Sequence, residues 1–357
     1  MQPVARASGC TIQPATASKG LLSGPMSGDA RDARAVTITD VAAAARVSRS
    51  TVSRAFSRPS MLRPETVERV RHLATELGYV PNALARALST GTMSAIGLVV
   101  PDIGNPFFPP LIRSIGSRAT KAEVAVLIAD TEESPERESA ALSQLITRTD
   151  GVVLASSRQT RSAIVEWSHR LPLVLVNRDV PGIPRVLVDT GQGVAHAVEH
   201  LAELGHSHIA YVVGPRHSWS NHERRKAIVE TSARLGLQVS LIKGFSATYE
   251  DGTRSALPVL KCGATAVIAF DDLVAQGAMA GFLQAGVSVP GNMSVVGCDD
   301  FLATRTYPPL TSVRALSEEA GSAAADLLLN PTTSSERIVI SGELVVRGTT
   351  GPPGTHS

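Results

Sequence analysis

The sequence is short of cysteine and of aromatic residues. Its three cysteines, Cys10, Cys262 and Cys298, are odd in number and far apart, which excludes a disulfide framework and a zinc cluster of ordinary spacing. Phe, Trp and Tyr together make up 4% of the chain. No apolar run approaches the roughly 18 residues that cross a bilayer, so no membrane partner is expected. Residues 1–35 are rich in Ala, Ser, Gly and Pro and lack the apolar core of a secretory signal. They read as a disordered N-terminal extension, and the protein as cytoplasmic. There is no G-x-S-x-G and no G-x-x-x-x-G-K-[ST], and in Gly191-Gln192-Gly193 the third glycine of a dinucleotide loop is replaced by His196. No cofactor is therefore expected. What is present is 357 residues, 43% hydrophobic and 18% charged, enough for two or three domains with a large core.

Lysine is also missing from residues 36–91, although that stretch holds eight arginines against four acids, a net +4. Residues 1–35 carry +2 and residues 92–357 carry −4. A small basic head on a larger, slightly acidic body suggests a polyanion-binding module joined to something else. Within the head, Thr37-Ile38-Thr39-Asp40 supplies N-cap candidates ahead of an apolar helix, Val41 to Ala45. The turn Arg46-Val47-Ser48 leads to a second helix, Arg49 to Phe56. Val41, Ala45, Val47, Val52 and Phe56 can close a small core between them. Pro64 suits the first position of a third helix, whose apolar residues recur at Val67, Val70, Leu73, Ala74 and Leu77 before a stop at Gly78.

Two short helices joined by a tight turn and braced by a third make a helix-turn-helix. Such a unit offers the N-terminal end of its second helix to the major groove. Here that end carries Arg49, Ser50, Thr51, Ser53 and Arg54, and arginine can bond guanine bidentately. Thr37 completes the DNA-facing set. Residues 81–94 then hold one short helix, too short to be stable alone.

The runs Ile38-Thr39-Asp40-Val41-Ala42, Val47-Ser48 with Thr51-Val52-Ser53-Arg54, and Leu77-Gly78-Tyr79-Val80-Pro81-Asn82 resemble the LacI/GalR family of bacterial transcription regulators. The resemblance implies that the short helix is a hinge that orders on operator DNA. It implies further that Asn82 and Arg86 contact DNA and that Leu88 wedges into the minor groove. Three positions depart from the family's habit: Arg46 stands where glycine is common, Ser57 where asparagine is frequent, and Arg63 where a capping Ser or Asp is usual. Arg46 is therefore expected in a left-handed conformation.

Beyond residue 94, strand-like and helix-like segments alternate to the end: strands at 95–100, 124–129, 151–155, 173–176, 209–213, 239–242, 266–270, 294–298 and 312–313, with helices at 109–121, 135–146, 193–204 and 222–235. That alternation predicts parallel sheets flanked by helices, with ligand bound at the strands' carboxyl ends. The resemblance continues here through Asn105-Pro106-Phe107-Phe108, Asp150-Gly151-Val152-Val153, Asp271-Asp272 and Val295-Val296-Gly297-Cys298-Asp299-Asp300. It implies an all-α helix-turn-helix head (36–80), a hinge and linker (81–94) and a two-lobed α/β effector domain of periplasmic-binding-protein type (95–350), with a tail over 351–357. Lobe 1 is expected to take about 95–188 and 315–341, lobe 2 about 189–314 and 342–350, with crossovers near Asp189, Ala315 and Gly342.

By the same resemblance, Phe108, Asn177, Arg224, Phe245, Asp271 and Asp299 bind the effector. Asp271 stands where Asn is usual, Asn177 where Asp is frequent, and Cys298 where an aromatic is usual. Aromatic faces, carboxylates and an arginine suit a sugar-like, polyhydroxylated ring. The implied partners are palindromic operator DNA, a small-molecule effector and a second copy of the chain; the implied function is that of a repressor, not an enzyme. Two alternatives compete. His196, Glu199 and His200 fit H-x-x-E-H, which would make a metal-dependent or sugar-metabolising enzyme. A free sugar-binding transport protein would need a secretion signal and would have no use for residues 36–91.

Overall fold

The computed structural model describes residues 36–79, 92–243, 246–331 and 335–354. The expected N-terminal extension, the hinge residues Asn82, Arg86 and Leu88, and Phe245 lie outside the described residues. The chain divides into two units after Pro81.

In the first unit, α1 (Ile38–Ala45) starts three residues ahead of its expected beginning. The cause is local: the Thr37 backbone N–H and hydroxyl both donate to Asp40 Oδ2, at 2.8 and 2.7 Å, so the carboxylate of the first turn ties down the cap. Helix α2 spans Arg49–Ser57, with Ser48 Oγ accepting from Thr51 N at 3.1 Å. Helix α3 (Pro64–Glu76) carries Pro64 in its first turn and ends at Gly78, whose φ is +71°. Val41, Ala45 and Val52 are buried as expected, with Val47 and Phe56 packed against them; Ala42, Ala55, Val70 and Ala74 complete the core.

Arg46 is left-handed, φ 52° and ψ 45°, and the next N–H, of Val47, closes on Ala42 O at 3.0 Å. A β-carbon in that region costs about 1–2 kcal/mol, partly offset by the extra freedom glycine has when unfolded. Arg46→Gly is thus expected to stabilise the head by about 0.5–1 kcal/mol. The denaturant midpoint of the head's unfolding step, compared with wild type, measures it.

The second unit contains two sheets. The first draws on β1 (Ala95–Val100), α4 (Phe108–Lys121), β2 (Ala125–Asp130), α5 (Pro135–Leu145), β3 (Val152–Ala155), α6 (Arg161–Ser168), β4 (Leu173–Val176) and β5 (Arg185–Asp189). The second draws on α7 (Gly191–Glu203), β6 (His208–Val212), α8 (Trp219–Leu235), β7 (Gln238–Ile242), α9 (Tyr249–Lys261), β8 (Ala266–Ala269), α10 (Asp272–Gln284), β9 (Ser294–Asp299) and β10 (Thr311–Arg314). The chain then returns through α11 (Ser317–Leu329) and β11 (Arg337–Ser341) and crosses once more into β12 (Glu343–Val345).

Strand order is β11-β5-β4-β3-β1-β2 in lobe 1 and β12-β10-β9-β8-β6-β7 in lobe 2. Among the described residues all pairs are parallel except β10 with β12. Strands β1, β3 and β4 are buried along their whole length, which is why they read as unbroken apolar runs. Leu111 and Ile115 of α4 meet Ala320 and Ala324 of α11 in the lobe 1 core.

The chain passes from one sheet to the other after Asp189, after Arg314 and after Ser341. Gly342 N donates to Asp189 O at 2.8 Å, and Ala315 N to Asp299 O at 3.3 Å. Strands β5, β11 and β12 were not expected: β11 alternates between exposed and half-buried residues, and β12 has only three residues. The tail also begins later than expected. Gly351 N donates to Ser294 Oγ and its carbonyl accepts from that hydroxyl, at 3.0 and 2.9 Å, so the chain stays strapped to lobe 2 past residue 350.

Candidate functional site

The strands' carboxyl ends face a cleft between the lobes, and most of its wall comes from the loops that follow the strands, with Phe108, Ser220 and Arg224 added from helices. Backbone strain collects there: Glu132, Glu133, Ser156, Asn177, Asp299 and Asp300 all have positive φ, a conformation that non-glycine residues keep only when the surroundings impose it. Four of these six, Glu133, Ser156, Asn177 and Asp299, line the cavity. The cavity is small, about 40 Å³, room for about three waters.

Arg224 of α8 is the centre of the lobe 2 wall. It is buried, and each of its three nitrogens is used. Nε donates to Thr190 Oγ1 at 2.9 Å, Nη2 to Asp299 Oδ1 at 2.9 Å, and Nη1 to the Phe270 carbonyl. Its guanidinium carbon lies 5.0 Å from the Phe270 ring centroid, a cation–π contact. Burial works against that charge, but the acidic groups around it, Asp299 among them, outweigh burial and hold the guanidinium charged. Burial likewise pushes the Asp299 carboxyl above its usual range, and Arg224 opposes the push. One N–H on each of Nη1 and Nη2 is left over for a ligand.

Lobe 1 mirrors this with Arg158, which bonds Ser156 O through Nη1 at 2.7 Å and Glu133 through Nη2 at 2.8 Å and through Nε. Phe107 and Phe108 stand edge to face, centroids 5.2 Å apart, and supply the apolar wall. Two guanidinium–carboxylate pairs facing each other, with an aromatic floor, suit a ligand that both donates and accepts hydrogen bonds and carries little net charge.

Of the expected effector residues, Phe108, Asn177, Arg224 and Asp299 line the cavity. Asn177 spends its side-chain oxygen on Val188 N, at 2.9 Å. Asp271 does not reach the wall: it caps α10 by accepting from Val274 N at 2.8 Å and lies behind Asn105. Burial pushes its carboxyl upward and Asp299 adds to the push. Asp272 beside it, pushed up to about 7 chiefly by burial, accepts from Ser312 Oγ at 2.6 Å. Sequence reasoning missed Asn105, Phe107, Glu133, Arg158, Ser218 and Ser220 in the wall. Each follows a strand's carboxyl end, so position relative to the sheet was the available signal.

In the first unit, Arg49, Ser50 and Arg54 are exposed and Ser53 is half-buried on the outer side of α2, opposite the buried Val52 and Ala55. The hydroxyls of Ser50 and Thr51 bond Ser48 Oγ, at 2.7 and 2.8 Å. Thr37 is occupied by its cap. Arg49 and Arg54 are thus both exposed on α2, backed by hydroxyls already ordered at its N-terminus.

The H-x-x-E-H segment disperses on α7. Glu199 pairs with Arg234 at 2.6 Å and His200 Nε2 bonds Thr350 Oγ1 at 2.9 Å. Among the described residues no three His, Cys, Asp or Glu side chains group to hold a metal.

Two family models match the chain: bacterial regulatory proteins of the lacI family over residues 37–82, and a periplasmic binding protein-like domain over residues 198–350. The HTH-type transcriptional regulator DegA of Bacillus subtilis is 33% identical over 334 residues, covering 89% of this chain and 99% of DegA. The chain belongs to the LacI family. Its fold matches the lac repressor dimer bound to operator and an anti-inducer, with a TM-score of 0.80 and 26% identity over 89% of this chain and all of that one. A LacI family regulator from Enterococcus faecalis with bound ribose matches at a TM-score of 0.66 and 30% identity, over 72% of this chain and 99% of that one. This LacI-family chain is a helix-turn-helix transcriptional regulator, and the enzyme reading lapses because its relatives are regulators. No helix among the described residues is long and apolar enough to cross a membrane.

Proposed function

We propose that this LacI-family protein is a dimeric repressor. It binds a palindromic operator through Arg49, Ser50, Ser53 and Arg54, and a sugar-like effector in the cleft tunes that affinity. The observation that carries the reading is the buried Arg224–Asp299 pair, both of whose residues line the cavity. The ribose held by the Enterococcus faecalis relative supports a sugar as the effector class. Asn82, Arg86 and Leu88 are assigned to the hinge on family resemblance, and Phe245 to the cleft on the same ground. Thr37 and Thr51 keep a supporting role, ordering the backbone that positions the arginines. A cytoplasmic location follows from operator binding.

Operator selection from randomised DNA tests the head. Arg54→Ala is expected to lose discrimination at one base position by about 1–3 kcal/mol while nonspecific binding persists. The logarithm of wild-type affinity should fall linearly with that of salt concentration, with a slope of about −0.9 per phosphate contacted. Uniform weakening across all sequences would remove Arg54 from base readout. A thermal-shift series with ribose and other pentoses and hexoses tests the cleft.

A further inference from the structure

Asn105 lies in the loop between β1 and α4, buried on the lobe 1 wall of the cavity. Both ends of its amide are committed. Oδ1 accepts from Phe107 N at 3.0 Å, and Nδ2 donates to Asp271 Oδ2 at 3.0 Å. Asp271 belongs to lobe 2, 166 residues away in sequence, and its other oxygen caps α10 through Val274 N. The polarity of this bond is determined at both ends. Phe107 N–H must meet the amide oxygen, so Asn105 can offer lobe 2 only its NH2 group. Val274 N–H must meet an oxygen of residue 271, and the remaining atom must accept. An asparagine at 271 would still cap the helix, but it would set NH2 against NH2.

We propose that Asn105 and Asp271 form a clasp that holds the two lobes closed across the effector cleft, with an acid required at 271 because both of its side-chain ends must accept. The clasp rests on the effector reading above and gives that site its gate. A cavity of about 40 Å³ cannot admit a pentose, so the lobes part for entry, and parting pulls Nδ2 from Asp271. The strength of this bond therefore helps to set how much of the protein is closed, and so how far an effector can shift it. It also accounts for a carboxylate kept in a buried place where an amide would cap the helix equally well.

The clasp has a reciprocal test. Asp271→Asn keeps the helix cap and breaks the interlobe bond. Asn105→Asp keeps the contact to Phe107 N and brings two carboxylates together. The double exchange restores one donor facing one acceptor, with the polarity reversed. Interlobe distance is read by pulsed electron resonance between spin labels on Arg161→Cys and His217→Cys, exposed positions on lobes 1 and 2. The full-length chain is used, with Cys10 and Cys262 changed to serine and no ligand added. Each single variant should lengthen or broaden the distance, the closed-to-open ratio falling at least about tenfold, the value of one hydrogen bond to a charged group. The double exchange should return the distribution to that of the parent. Singles that match the parent, or a double exchange that stays open, would overturn the clasp. Asn105→Ala, which adds no charge, must also open the lobes, and circular dichroism melting confirms that each variant is folded. Calorimetry of the parent with ribose, then with other pentoses and hexoses, separates the two claims. Absent sugar binding with a restored double exchange fails the effector reading and keeps the clasp; sugar binding with unmoved distances does the reverse.

Discussion

Arg224→Ala is expected to destabilise lobe 2 by about 3–5 kcal/mol, the cost of leaving a buried ion without its partner. The side chains of Arg224 and Asp299 are only 5% and 8% exposed, so water cannot take over the missing contacts. The loss also unbonds Thr190 Oγ1 and the Phe270 carbonyl and bares one face of the Phe270 ring. Effector binding should vanish in the same variant, yet that loss alone would not prove contact with ligand, because the wall itself is damaged. Adding Asp299→Asn separates the effects. With no carboxylate left to strand, the double variant should recover a good part of the stability but none of the binding. Chemical denaturation and calorimetry measure the two quantities. An Arg224→Ala protein as stable as wild type would show that the pair contributes nothing to the fold.

Leu283→Glu combined with Tyr307→Asp is expected to dissociate the dimer and to lower affinity for a two-half-site operator at least about a hundredfold, since the second head then no longer binds as if tethered. Tyr307 is 97% exposed and Leu283 78%. Both border a groove of about 470 Å³ walled by Met279, Val287, Val289 and Pro308. Large apolar side chains gathered on one face, rather than scattered singly, mark an association surface, and in a two-fold dimer the same patch serves both copies. Sedimentation velocity gives the mass and fluorescence anisotropy the affinity. A variant that stays dimeric would move the interface elsewhere on the molecule.

Sequence reasoning found the head because its determinants are local. Thr37 and Asp40 cap α1 within one turn, Ser48 caps α2, and Pro64 starts α3; none of these bonds needs a distant residue. The left-handed Arg46 was legible for the same reason, as a turn position where the family places glycine. Buried strands such as β1 and β4 announced themselves as apolar runs, because both their faces are covered. Strand β11 hid because its alternation is that of a half-covered edge, and β12 because three residues carry no period.

The cleft divided differently. Arg224 and Asp299 were legible by family resemblance, and the structure brings them to 2.9 Å across 75 residues. Their counterparts in lobe 1, Glu133 and Arg158, belong to no motif that marks them in the sequence. They become a site only when the sheet brings the loops after β2 and β3, on either side of β1, close enough for Arg158 Nη2 to reach Glu133 at 2.8 Å. Asp271 shows the limit most clearly. Family resemblance puts it among the effector residues, but its second oxygen accepts from Asn105, 166 residues earlier, and it stays out of the wall. By itself the sequence determined the three helices of the head and most of the alternating strands and helices of the body, since caps, turns and buried runs act over a few residues. Only the tertiary structure decided which charges pair across the cleft and which residue stands in front of another, because those bonds form between chain segments that no local pattern relates.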